Sequence, residues 1–118
     1  MISTTQTGDH GKHNHIQGGT FHAPTVIVIS ADSKAGSVQL DCAVVAENIA
    51  LAAESLNIGS CLMTSPELIF SSEKGQDLMK QIGVPENYRH VCTVTLGYID
   101  GERPSPKPRN KEVISYLR

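Results

Sequence analysis

The sequence has no tryptophan, two phenylalanines and three tyrosines among 118 residues, so it offers no run of aromatic platforms on which nucleic-acid bases could stack. Nor is there a basic stripe: ten basic residues stand against twelve acidic ones, for a net charge of −2. No apolar stretch approaches the roughly 18 residues that a membrane-spanning helix needs, and the N-terminus lacks the apolar core of a secretion signal. These absences predict a cytoplasmic protein with neither a membrane nor a nucleic-acid partner. Cysteine is scarce as well. Cys42, Cys61 and Cys92 are odd in number, widely spaced and set in apolar contexts, which predicts reduced, buried thiols rather than disulfides, zinc ligands or a nucleophile. The sequence shows no Ser-His-Asp, Cys-His or paired-carboxylate arrangement that would argue for hydrolysis, and His90 reads as structural.

A chain of this length supports one domain. Residues 1–22 carry only Met1, Ile2, Ile16 and Phe21 as apolar side chains among Gly, Thr, His and Gln, which predicts an unordered segment ahead of a folded domain over 23–118. His10, His13 and His15 have the composition of a metal-binding tract, but a Gly-rich segment cannot fix a ligand geometry, so solvated histidines and no metal site are expected.

The dominant element is Asp41 to Asn57, which reads as one helix, with Asp41 as N-cap and Gly59 as the stop signal. Its polar residues are confined to a stripe of Asp41, Asn48 and Ser55 with Glu47 and Glu54 alongside, and the other directions are apolar. Such a helix is buried on several sides. Ala43, Ala46, Ala50 and Ala53 form a small-residue ridge that suits close packing, either in the core of this domain or against a second subunit.

Around that helix the chain alternates element types. TVIVIS at 25–30 reads as a strand covered on both faces, residues 58–63 as a short extended piece, and Ser65-Pro66-Glu67 as the start of a helical turn with Ser65 as N-cap. Residues 73–82 read as a helix stopped by Gly83, and 91–99 as a strand. In that strand Cys92, Val94, Leu96 and Tyr98 point one way and Val91, Thr93, Thr95 and Ile99 the other, with Gly97 marking a bulge or a close approach by another backbone. Residues 100–109 form a Pro-rich arm, and 112–117 a last strand or helical turn. The expected fold is α+β, a small sheet flanked by helices as an α/β sandwich. Two or three strands are few for a sheet buried on both faces, so either the chain is the back portion of a larger domain or a second subunit supplies the remaining cover.

Charge is unevenly distributed. Residues 1–100 hold five basic and ten acidic groups, whereas residues 101–118 hold five basic and two acidic. A basic tail on an acidic body points to an anionic partner, and with so few charges a phosphate-bearing small molecule is the better match.

Four segments in order give the sequence a resemblance: APTVIVISAD at 23–32, DCAVVAENIALAAESLNIGSC at 41–61, IGVPENYRHVCTVTLGYID at 82–100, and SPKPR closing the arm at 105–109. Together, over about residues 22–118, they resemble the C-terminal portion of the nitroreductase family, FMN-dependent oxidoreductases built as intertwined homodimers. The resemblance implies that Lys107 and Arg109 meet the flavin phosphate, and that a backbone amide at Thr64 or Ser65 faces the reactive flavin nitrogen. It implies no catalytic side chain, because the flavin carries the reaction: electrons from NADH or NADPH, then transfer to a small nitroaromatic, quinone or similar acceptor. It also implies a homodimer through helix 41–57. The family's N-terminal portion, with its arginine- and serine-containing flavin-gripping motif, has no counterpart, since residues 1–21 contain no arginine. An alternative follows, a non-catalytic dimeric protein of this fold that binds no flavin.

Overall fold

The computed structural model describes residues 2–6 as backbone, and residues 22–103 and 105–117. Four strands, β1 (Ile2–Gln6), β2 (Thr25–Asp32), β3 (Gly59–Met63) and β4 (Tyr88–Gly97), form one antiparallel sheet in the order β1-β2-β4-β3. Among the described residues three helices flank it: α1 (Val38–Ser55), α2 (Glu67–Phe70) and α3 (Glu73–Gln81). This is the expected α+β architecture. α1 covers one face of the sheet, and α2 and α3 cover the other.

The central strand β2 is buried on both faces, as its unbroken β-branched run predicts. Ile27 and Ile29 pack with Val38, Cys42 and Ala46 of α1 and with Cys92 and Val94 of β4. Val26 and Val28 pack on the opposite side with Phe70, Met79 and Val84. Full burial of each such side chain is worth about 1.5–3 kcal/mol, so β2 anchors two cores at once.

Strand β1 departs from the sequence reading, which left residues 1–22 unordered. Ile2–Gln6 pairs with β2 from Ile2 opposite Ile29 to Gln6 opposite Thr25. The segment ISTTQ has β-branched residues but no apolar run, so its strand character comes from the edge of β2 rather than from its own hydrophobicity. The histidines at 10, 13 and 15 lie outside the described residues.

Helix α1 begins three residues before the expected Asp41. Ser37 occupies the cap position without a side-chain hydrogen bond, and Asp41 sits in the first turn, where the helix dipole favours a carboxylate. The helix ends at Asn57 rather than through Gly59. Asn57 takes φ 56°, its N–H donates to the Glu54 carbonyl (3.0 Å), and the Ile58 N–H donates to the Ala53 carbonyl (2.9 Å). That is the Schellman arrangement with asparagine in the usual glycine place. α3 ends the same way on Gly83 (φ 81°), as predicted, and Ser72 caps its start by accepting from the Gly75 N–H at 3.1 Å. The short α2 starts one residue later than expected, with Pro66 in the cap position.

The alanine ridge is only partly available to a partner. Ala46 and Ala53 are buried within the chain itself, and small residues here let α1 lie close to the sheet. The side of α1 turned away from the sheet instead carries Leu40, Val44 and Leu51, which are 69%, 54% and 60% exposed and fall on one helical face.

One irregularity in the sheet redirects side chains. Between Ile29 and Ser30 the pairing shifts: Ile29 faces Cys92, whereas Ser30 faces His90, leaving Val91 as the extra residue of a β-bulge. Simple alternation put Val91 on the side of Thr93. The bulge returns it to the Cys92 side, where it packs against the α1 core, and moves His90 to the opposite face.

Candidate functional site

The turn that follows β3 is set by its ends. Met63 is buried as the last strand residue and Pro66 is buried at the start of α2, while Thr64 and Ser65 between them are exposed. The Thr64 and Ser65 carbonyls accept from Glu67 N–H (3.0 Å) and Leu68 N–H (3.1 Å), starting the helix. Among the described residues, the Ser65 N–H donates to no group of the chain. An exposed backbone donor at the end of a strand is open to a ligand.

Beyond this turn lies a cleft of about 510 Å³, walled by α2, α3 and the start of β4. Phe70, Met79, Val84 and Tyr88 line it, and Lys80 and Glu86 pair across its rim at 3.5 Å. His90 lies in its wall. Its ring is 4.7 Å from that of Phe70, its Nε2 is 2.8 Å from Thr93 Oγ1, and its Nδ1 is buried without a partner. Burial holds the His90 pKa below its ordinary value, which the Glu67 carboxylate opposes. The neutral ring leaves fewest groups unpaired when Thr93 O–H donates to Nε2 and Nδ1 carries the hydrogen.

Among the described residues the arm after β4 has no helix or strand, the expected element at 112–117 included, and Lys107 and Arg109 are exposed on it. The structure thus gathers Thr64 and Ser65 into one turn and leaves Lys107 and Arg109 one residue apart on the arm; none of the four lines the cleft. The root of the arm is fixed more firmly than its Pro-rich sequence suggests. Arg103 donates from Nη1 to Glu54 Oε1 near the end of α1. The sequence offered a signal, a lone carboxylate in the last turn of a helix with no basic residue there, but no spacing linked positions 49 apart.

The cysteines divide. Cys42 and Cys92 are buried, and desolvation pushes both thiols up, keeping them protonated. Cys61 is exposed, contrary to the expectation of three buried thiols: it lies on β3, at the edge of the sheet, where Ser60 and Leu62 on either side are exposed as well. Among the described residues no group of His, Cys, Asp or Glu could hold a metal ion, and no helix is long and apolar enough to cross a membrane.

A small antiparallel sheet between one long helix and a pair of short ones, with an arm running on from its last strand, makes an α+β sandwich. The nitroreductase family model matches residues 3–98, and the chain belongs to that family. The match begins in β1, earlier than the segments that carry the resemblance in the sequence. Among solved structures, a nitroreductase with bound FMN from Bacteroides fragilis is similar with a TM-score of 0.82 and 24% identity, over 100% of this chain and 75% of that one. A nitroreductase with bound FMN from Desulfitobacterium hafniense gives 0.80 and 26%, over 99% and 74%. An oxidized iodotyrosine deiodinase bound to FMN and 3-iodo-L-tyrosine shares the fold at a TM-score of 0.64 and 14% identity, over 100% and 76%. No curated protein matches the sequence.

Proposed function

We propose that the chain binds FMN and acts as an oxidoreductase of nitroreductase type, with NADH or NADPH as donor and a nitroaromatic, quinone or similar small molecule as acceptor. The observation that carries this reading is family membership together with FMN-bound relatives of the same fold over the whole chain.

The residues present fit the cofactor. The unpartnered Ser65 N–H is a donor for a ring nitrogen, and a backbone donor needs no particular side chain. Lys107 and Arg109 are exposed and belong to neither of the ion pairs among the described residues, so both cations are free for a phosphate. The Arg109 guanidinium offers a planar fork for two phosphate oxygens and Lys107 adds a point charge. Bound FMN would supply the redox chemistry, passing electrons from the nicotinamide donor to the acceptor in two half-reactions. The chain's own part is to hold the phosphate from the arm, to orient the ring from the Thr64–Ser65 turn, and to exclude water with a second copy. We assign that second copy to the exposed face of α1, making the protein a homodimer through this helix.

A titration of the purified protein with FMN, followed by flavin fluorescence while the complex is sized, tests this reading. Saturable binding is expected, weakened roughly tenfold or more by Lys107→Ala with Arg109→Ala, because charge-assisted contacts are lost. Unchanged affinity in the double variant would remove the phosphate assignment. A folded dimer that binds no FMN would favour a non-catalytic protein of this fold.

A further inference from the structure

Three features fix where the C-terminal arm leaves the domain. Ile99 sits over Gly59, so close that a Cβ on Gly59 would lie 3.0 Å from Ile99 Cγ1. Gly101 then takes φ 92°, a left-handed turn that glycine permits without strain. Two residues later Arg103 pairs with Glu54. The two contacts lie at the junction between the end of α1 and the start of β3, with the Gly101 turn between them in the chain.

Glu54 is poorly placed for the helix alone. A carboxylate in the last turn opposes the helix dipole, and α1 has no basic residue there to offset it. Arg103 supplies the missing cation from outside the helix. The sequence of the arm beyond carries prolines at 104, 106 and 108. Such a segment behaves as a semi-rigid spacer, so the direction set at its root is passed along it. Lys107 and Arg109 follow Arg103 by four and six residues, a reach of at most about 14 and 21 Å.

We infer that Glu54 and Arg103 are positioning residues, whose ion pair anchors the arm to the end of α1 and so holds Lys107 and Arg109 at the FMN phosphate. This rests on the FMN reading above. The anchor raises the effective concentration of the two cations at the phosphate by restricting where the arm can go. Neither Glu54 nor Arg103 touches the cofactor in this account.

Glu54→Gln tests it, because it removes the pair and leaves the arm's sequence intact. A nitroxide attached at Ser105→Cys, in a Cys61→Ser background that leaves only buried native thiols, reports arm mobility without cofactor. Glu54→Gln is expected to increase nitroxide mobility and weaken FMN binding by about two- to fivefold, the range an exposed ion pair commands. The charge swap Glu54→Arg with Arg103→Glu should restore both. Raising ionic strength should increase mobility in the wild type and have little effect on mobility in Glu54→Gln. Unchanged mobility in Glu54→Gln would overturn the anchor, and raised mobility with unchanged FMN affinity would overturn its positioning role. The FMN reading itself fails separately, if the protein binds no FMN, and the phosphate assignment fails if Lys107→Ala with Arg109→Ala leaves affinity unchanged.

Discussion

His90 Nε2 lies 2.8 Å from Thr93 Oγ1, a contact across three positions of one strand that regular alternation forbids, since residues three apart point to opposite faces. The bulge at Val91 places both on the face toward Phe70. The contact therefore reports the bulge directly.

A pH dependence follows from this placement. His90 is buried, and desolvation lowers its pKa from the ordinary 6.5. Below pH 6.5 the unfolded chain takes up a proton at this position that the folded chain resists, so the unfolded state binds more protons and stability falls as pH falls through the folded pKa. Above pH 6.5 the contribution is fully present. Urea unfolding of wild type and His90→Leu across this interval should show a steeper loss of stability on acidification in the wild type. Parallel curves would show that His90 titrates alike in both states.

Gly75 packs α3 against α2 more tightly than any other residue would allow. An added Cβ would collide with the Ile69 carbonyl oxygen and lie 2.6 Å from Phe70 Cα, both backbone atoms. Gly75→Ala gains helix propensity yet should lower stability by about 2–3 kcal/mol, since the two helices must move apart. A fall in the urea midpoint with an unchanged m-value is the expected result.

Asn57 ends α1 in the left-handed region. Asn57→Ala should cost about 1 kcal/mol, because a Cβ there meets the following carbonyl without the local hydrogen bonding of an asparagine. Asn57→Gly should be neutral or stabilising. Thermal unfolding of the two variants gives the comparison, and equal losses would argue against a conformational origin.

The exposed face of α1 carries the proposed subunit contact. Leu51→Glu places a charge among Leu40 and Val44 and should shift the protein toward monomer in sedimentation, since an unpaired carboxylate is costly to bury. Ala50→Leu, at a half-buried position beside this face, should weaken association less. An unchanged dimer in Leu51→Glu would locate the interface elsewhere.

Local signals in the sequence were enough for most of the elements. The run at 25–30 and the Gly83 stop carry their structure in their own composition, so β2 and the end of α3 appear where expected. At Gly97 what comes close is a side chain rather than another backbone, with Pro24 Cδ 3.1 Å from where its Cβ would be. What escaped the sequence depends on partners far along the chain. β1 is a strand because β2 offers it an edge, the bulge at Val91 is a matter of register between β2 and β4, and Glu54 meets Arg103 only once the sheet brings β4 beside α1. At the candidate site, Thr64, Ser65, Lys107 and Arg109 came from family resemblance, whereas the cleft and His90's place in it required the fold.

The most direct test of the FMN-dependent oxidoreductase reading is NADH and NADPH oxidation by the purified full chain, with a nitroaromatic or quinone acceptor, with and without added FMN. The account predicts turnover that needs protein, FMN and acceptor together, and that falls in Lys107→Ala with Arg109→Ala at limiting FMN. A folded, FMN-loaded protein that oxidises neither donor above the rate of free FMN would contradict it.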